Sequence, residues 1–217
     1  VNELEIGGRN LADWGSIIKT GSYENIGGNK YLLNPKKVND GFKIKTDKLI
    51  IGEKAVLSYK IKYISGYIAN FGGHCSQSVT KILVDGVVIP NTYYHGGLNK
   101  SYIEDGEEHL IQIFFKKNTT PSASAHIGIE LNRYYNDPFD SFIEVWDIKL
   151  EKGNKATDWT PAPEDVQAEI DAAQTAADDA QLAADGYMKA RYIRDWIQGS
   201  TLSTNNVWRE IKVIRKD

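Results

Sequence analysis

The sequence changes character abruptly at Pro161-Ala162-Pro163. Before this point, apolar and polar residues alternate in several short segments, which is the period of half-buried strands. After it, residues 164–184 contain no glycine or proline and are rich in alanine, aspartate and glutamine, a composition that favours a helix. A single fold class cannot accommodate both patterns. The sequence therefore predicts a β domain followed by a helical segment.

The first part of the chain is predicted to be a β-sandwich. Alternation is clearest at 42–45, 57–63 and 126–132, and further strand candidates are 79–84, 109–117 and 141–151. The dipeptide Asp85-Gly86, between two short apolar runs, is typical of a two-residue hairpin. About eight strands without an amphipathic helix between them have to bury one sheet against another. We therefore expect residues 1–160 to form one sandwich of the jelly-roll, galactose-binding-like type.

Residues 161–187 are predicted to form a Pro-led helix with an apolar stripe. The stripe follows alternating spacings of four and three, and its members are Val166, Ile170, Ala173, Ala177, Ala180, Ala184 and Tyr187. This is the a/d pattern of a coiled coil. Because an isolated helix of this length is marginal in water, we expect it to associate, as three parallel copies. The alternative is a solvated linker helix.

Residues 188–217 form a third segment. Its first part, 188–197, can continue the helix as a short piece, and 208–214 alternates like a strand. A single strand needs a partner for its backbone groups. The pattern therefore indicates either a strand that pairs between copies or the start of a truncated further domain, with a short α/β character.

The charge distribution argues against two classes of partner. The net charge is −3, but residues 164–186 carry seven acids and no Lys or Arg, whereas residues 1–163 are balanced. Nucleic-acid and membrane surfaces require a sustained basic face, so neither partner is expected. No stretch approaches the roughly 20 apolar residues of a membrane helix, and Val1 is not followed by the pattern of a signal peptide.

The sequence carries no pattern of a catalytic or metal centre. The one cysteine, Cys75, follows His74, but no second Cys or His lies at ligand spacing. The motifs GxSxG and HExxH do not occur. We therefore expect no metal, no cofactor and no enzymatic activity.

The sandwich carries candidate residues for a saccharide site. Such sites combine aromatic planes with hydrogen-bonding side chains. The segment 125–134 has an apolar face, and its other face carries polar groups; two loops add tyrosines and histidines. The alternatives are a plain solvent face and tyrosines that anchor loops to the core. The candidates are Tyr67, Asn70, His74, Tyr93, Tyr94, His95, His126, Glu130, Asn132 and Tyr134.

Two segments resemble a known family. The run 151–165, which contains Ala156-Thr157-Asp158-Trp159 before Pro161, resembles the end of the carbohydrate-binding-module-like jelly rolls of bacteriophage tail proteins. The opening Gly8-Arg9-Asn10-Leu11 resembles the start of the same domains. Residues 190–211 are similar to the first strand of the discoidin-like domains that often follow. In the closing run, we expect Trp159 to pack back on the sandwich and Thr157-Asp158 to accept hydrogen bonds from loop amides.

The resemblance implies a tail fibre, tail spike or baseplate component of a phage or prophage. Such proteins are commonly homotrimers in the virion tail, where they contact other tail proteins and bacterial surface saccharide. Two further hypotheses remain open: a purely structural fibre spacer, and an accessory module of a secreted polysaccharide-degrading enzyme. The alanine heptads argue against the accessory module, because such modules are joined by flexible linkers.

Overall fold

The computed structural model describes residues 7–34, 40–66, 70–71, 77–90, 98–118, 126–132 and 141–199, with the backbone alone for 70, 71, 98, 130–132 and 189–199. Two compact units are present, Val1–Ala168 and Glu169–Asp217. The described strands are β1 (Ile17–Thr20), β2 (Ser22–Gly27), β3 (Lys30–Asn34), β4 (Gly41–Lys45), β5 (Lys54–Ser65), β6 (Asn70–Phe71), β7 (Ser78–Val84), β8 (Val87–Ile89), β9 (Leu98–Asn99), β10 (Glu108–Lys116), β11 (His126–Asn132) and β12 (Phe142–Lys152). Short 3-10 turns occupy Trp14–Ser16 and Lys100–Tyr102.

The strands form two antiparallel sheets. The smaller has the order β1-β4-β11-β6-β9, and the larger has the order β2-β3-β12-β5-β10-β7-β8. Every pairing between neighbours is antiparallel. The predicted mainly β fold followed by a helix is therefore confirmed.

One hydrophobic core joins the two sheets. The smaller sheet contributes Phe42 and Ile44 from β4 and Ile127 and Ile129 from β11, all at most 1% exposed. The larger sheet contributes alternate residues of β5 and β10, among them Leu57, Tyr59, Ile111 and Ile113. These are the apolar positions of the alternating segments, so the period of two in the sequence identifies the core face of each strand.

The hairpin predicted at Asp85-Gly86 is confirmed. These two residues connect β7 to β8, with φ of 50° and 81°. Positive φ at both central positions is the geometry of a type I′ turn, in which Asp and Gly are favoured.

Strand β12 contains a bulge at its centre. The register with β5 shifts between Trp146 and Lys149, and Asp147 has φ of 53°. The Asp147 carboxylate is held by the Lys60 Nζ at 2.9 Å and by the Asn29 Nδ2 at 2.8 Å. The bulge removes the Ile148 carbonyl from the ladder, so that side chains outside the sheet can bond to it.

The helix α1 spans Pro163–Gly199. It begins in the predicted proline-rich segment and continues past residue 187, so the predicted division between 187 and 188 falls inside it. At 1.5 Å per residue it is about 55 Å long. Among the helices of the described chain, none is long and apolar enough to cross a membrane.

Candidate binding surfaces

Strand β11 contains three of the saccharide candidates, His126, Glu130 and Asn132. Ile127 and Ile129 are buried in the core, so His126 lies on the opposite face of the smaller sheet, beside Lys45 of β4. The His126 side chain is half-buried. Glu130 and Asn132 follow in the same strand at the same period. These three saccharide candidates therefore occupy alternate positions of β11, and the His126 side chain is partly covered.

Backbone pairing brings Asn70 next to this face. Asn132 of β11 pairs with Asn70 of β6, and Asn70 pairs with Asn99 of β9. Residues that pair directly across antiparallel strands share a face of the sheet. Asn132, Asn70 and Asn99 are therefore paired in register across β11, β6 and β9. Asn70 and Asn132 are saccharide candidates, whereas Asn99, in the two-residue strand β9, was not predicted.

The remaining saccharide candidates lie outside the described residues. They are Tyr67, His74, Tyr93, Tyr94, His95 and Tyr134. His74 and Cys75, considered as metal ligands, also fall there. Within the described ranges, no group of three or more His, Cys, Asp or Glu side chains is placed to hold a metal ion.

An aromatic cluster that the sequence did not reveal lies where the 3-10 turn Trp14–Ser16 meets β2, β3 and β4. The rings of Trp14 and Tyr31 stack at 4.3 Å with 12° between their planes, and the buried Phe42 meets both edge-on. The Lys19 Nζ lies 3.7 Å from the Trp14 ring centroid. With Tyr31 on one face and the ammonium on the other, Trp14 offers no open plane, whereas Tyr23 at the cluster edge is 45% exposed.

Charged groups surround this cluster. The Trp14 backbone N–H donates to both oxygens of Asp165, at 2.9 and 3.2 Å. Burial lowers the pKa of Lys19, although the Asp165 carboxylate opposes that shift. Burial raises the pKa of Tyr31, and Asp165 adds to this effect while a hydrogen bond with Asn25 opposes it. The cluster therefore fixes the first turn of α1 to the sheets as well as packing their edge.

A salt-bridge network reinforces the same joint. The Lys48 Nζ contacts Asp13 at 2.5 Å and Glu164 at 3.2 Å, and Arg9 contacts Glu164 at 2.7 Å. Burial alone would lower the pKa of Lys48, but the two carboxylates hold it above its ordinary value. Within the unit Val1–Ala168, Arg9, Asp13 and Lys48 therefore form one network with Glu164 at the start of the helix.

Residues 153–162, here called the exit segment, cover a buried ion pair on β12. Lys149 and Glu151 are 1% and 0% exposed, with Nζ and Oε2 3.6 Å apart. The Thr157 N–H and hydroxyl donate to Glu151 at 2.8 and 2.7 Å, and the Lys149 Nζ donates to the Asp158 carbonyl at 2.6 Å. The expectation that Thr157-Asp158 receives loop amides was wrong in detail: both bind this ion pair, Asp158 by its backbone carbonyl.

The opening motif (8–11) and the closing motif (151–165), on which the family resemblance rests, contact each other. The Asn10 Nδ2 donates to the carbonyls of Ile148 and Thr160, each at 3.0 Å, and its Oδ1 accepts from the Leu150 and Ala12 N–H groups at 3.1 and 2.9 Å. Trp159 packs back as expected, because its Nε1 donates to the Ile148 carbonyl at 3.3 Å. The carbonyl that the β12 bulge frees is therefore bound from both motifs.

The predicted helix stripe is exposed in the single chain. Every side chain from Val166 to Met188 is exposed, and Ile170 and Tyr187 are 55% and 66% exposed. Hydrogen bonds between neighbouring turns, such as Gln174 to Asp178 at 2.8 Å, support the helix. The other stripe members are small: Ala173, Ala177, Ala180 and Ala184.

Comparisons with models of protein families, with curated proteins and with solved structures found no match to this chain. Support for any function therefore comes from its residues and their contacts.

Proposed function

We propose that this chain is a non-enzymatic component of a bacteriophage or prophage tail. In this proposal the two-sheet domain is a jelly-roll module that attaches to saccharide on the host surface. The helix assembles three copies through a parallel coiled coil, and other tail proteins contact the assembly. The resemblance of the opening and closing motifs suggested this function. The hydrogen bond from Asn10 to the Thr160 carbonyl supports it, because the two motifs contact each other in the folded domain.

The exposure of the helix supports assembly most strongly. A helix that buries no described side chain between Val166 and Met188 has no tertiary packing there, and most helices in proteins depend on such packing. An apolar a/d stripe that includes Ile170 provides a surface for a second and third copy. Three weak saccharide sites on one assembly would gain avidity through their effective concentration.

The spacer hypothesis has its own supporting observation. The start of α1 is tied to the sheets through Glu164 and Asp165, which contact Lys48, Arg9 and Trp14. A sheet domain that holds residues 164 and 165 in this way suits a module that spaces the parts of a fibre, with or without a ligand. Saccharide binding therefore has to be measured separately from assembly.

The test of assembly is the solution mass by light scattering. The full chain is expected to have three times its 24.3 kDa mass. The double variant Ile170→Asn/Ala177→Asn places two amides in the stripe and should yield a monomer. Leu182→Asn, which changes a residue 73% exposed and outside the stripe, should leave the trimer intact. A monomeric wild-type chain would contradict the proposal.

The test of attachment is a glycan array probed with the assembled protein. We expect binding to at least one bacterial surface saccharide, and weaker binding by the monomeric double variant because avidity is lost. A trimer that binds no saccharide would favour the spacer hypothesis over the attachment role.

A further inference from the structure

We infer that a basic cleft on the larger sheet binds an acidic saccharide, one that bears carboxylates or phosphates. The cleft lies over the outer face of β5, β10 and β7 and has a volume of about 540 Å³. Among the described residues that line it, Lys54, Lys81 and Lys116 are basic and none is acidic. This inference deepens the proposed function, on which it rests, because it names a ligand class and a surface separate from the β11 face.

The cleft places like charges next to each other. Lys54 of β5 pairs directly with Lys116 of β10, and both are exposed. The Cβ atoms of directly paired residues stand about 5 Å apart. Both ammonium groups can therefore reach one anionic group bound in the cleft.

A third lysine is positioned over the same cleft. The Lys81 Nζ lies 4.0 Å from the ring centroid of Phe114, a cation–π contact that holds the ammonium on this face. The β10–β7 register shifts between Phe114 and Phe115, so Thr80 and Lys81 occupy a bulge. The Thr80 hydroxyl donates to the Phe114 carbonyl at 3.1 Å. Bulges of this kind re-aim side chains and are common beside binding sites.

The size and chemistry of the cleft suit a short saccharide segment. A volume of about 540 Å³ lies within the range of sites for small ligands. The Thr80 hydroxyl lines the cleft and can accept a hydrogen bond from a sugar hydroxyl. Gly153, whose N–H donates to the Lys54 carbonyl at 2.9 Å, fixes the adjoining backbone.

A nucleic acid fits this cleft less well. Single-stranded nucleic acid is bound by aromatic rings that stack on bases and by a groove that follows several phosphates. Of the two phenylalanines among the described residues that line the cleft, Phe115 is buried in the core and Phe114 already carries Lys81 on its ring. Three lysines could also neutralise only a few phosphates of a polymer that carries one phosphate at every residue.

The experiment measures the binding of defined probes to the full chain by calorimetry. The probes are an oligogalacturonate, a phosphorylated oligomannose, a neutral maltooligosaccharide and an oligodeoxythymidylate. We expect one of the two acidic saccharides to bind most tightly, and to bind more weakly as salt is raised. Which of the two binds identifies the carboxylate or the phosphate as the recognised group.

The double variant Lys54→Gln/Lys116→Gln should weaken that binding about tenfold. Lys62→Gln is the matched control, because Lys62 lies on the same face of β5 and pairs with Glu108 at the other end of β10. It should change affinity less than about twofold. Thermal unfolding of the double variant checks that it is folded, so that lost binding can be separated from unfolding.

Three results would overturn the inference. The first is that an acidic saccharide binds the double variant as tightly as it binds Lys62→Gln. The second is that the oligodeoxythymidylate binds the wild-type chain more tightly than either acidic saccharide does. The third is that neither acidic saccharide binds. If only the neutral saccharide bound, and the double variant bound it equally well, the result would contradict the basic cleft but support the proposed attachment function. If the chain were monomeric yet bound an acidic probe through Lys54 and Lys116, the result would contradict the trimer and support the cleft.

Discussion

Lys149 and Glu151 lie on one face of β12 with their charged atoms 3.6 Å apart, and both are almost completely buried beneath the exit segment. Two residues apart on a strand, they share a face of the sheet. Thr157 bonds to both, at 2.6 Å from the Lys149 Nζ and 2.7 Å from a Glu151 oxygen. Because burying a charge is costly unless it is paired and hydrogen-bonded, this arrangement couples the exit segment to the sheet.

Replacing Glu151→Gln should lower the free energy of unfolding by about 3–5 kcal/mol. The substitution keeps the shape of the side chain but leaves the Lys149 ammonium buried without its counter-charge. Urea denaturation followed by circular dichroism measures the change. Because the exit segment lies over this pair, limited proteolysis at Lys155 should also become faster in the variant.

The matched control is Glu144→Gln on the same strand. Glu144 contacts the Lys30 Nζ at 2.6 Å, but the two side chains are 20% and 30% exposed. Partly exposed pairs contribute at most about 1 kcal/mol, so this variant should remain close to the wild-type chain. Equal losses from the two substitutions would show that the buried pair has no special role.

Alternation predicted the core side of the strands but not what covers their outer side. Ile127 and Ile129 are buried as the pattern indicated. The same pattern places Lys149 and Glu151 on an outer face, where solvent would be expected. They are buried because the exit segment folds over them, and no local pattern reports a segment that returns to a sheet.

The strands nearest the amino terminus were not predicted, for a related reason. All six residues of β2 are exposed at the edge of the larger sheet, so this strand has no alternation to detect. The stack of Trp14 on Tyr31 joins a 3-10 turn to β3, and only the folded chain brings them together. The saccharide candidates of β11 were chosen from its alternation, whereas the pairing of Asn132 with Asn70 joins distant segments and depends on the folded sheet.

Replacing Asn10→Ala should destabilise the sheet domain by about 2–4 kcal/mol. Asn10 is 2% exposed, and its amide bonds to four backbone groups, two of them on Ile148 and Leu150 of β12. Alanine would remove the Asn10 partner of the Leu150 and Ala12 N–H groups and of the Thr160 carbonyl, at a cost larger than that of losing a solvent-exposed bond. Thermal unfolding of the full chain would measure the effect.

Asn25→Ala is the matched control for that experiment. The exposed Asn25 amide bonds to Gly27 and Gly28 at the end of β2, at 2.8 and 3.1 Å, and to the side chain of Tyr31. Water can replace these bonds, so the loss should stay below about 1 kcal/mol. If Asn10→Ala proved as mild as Asn25→Ala, the joint between the opening and closing motifs would not depend on its hydrogen bonds.

His109 bridges two aspartates at the end of β10. Its Nδ1 lies 2.7 Å from Asp85 in the type I′ turn, and its Nε2 lies 2.9 Å from Asp105. Asp85 also accepts from the Leu110 N–H at 2.8 Å. Burial alone would lower the pKa of His109, but hydrogen bonds with the two carboxylates raise it above its ordinary value of 6.5. The protonated ring is therefore favoured in the folded chain.

The sheet domain should lose stability as pH rises through the raised pKa of His109. The protonated ring contributes its full stabilisation below about pH 6.5, and that contribution disappears once the folded chain also loses the proton. His109→Gln should therefore reduce Tm most at about pH 6 and least at about pH 9. Asp85→Asn retains the turn and the bond from Leu110, so its effect should be smaller and follow the same pH trend. Parallel curves of Tm against pH for wild type and His109→Gln would show that the ring's charge contributes nothing.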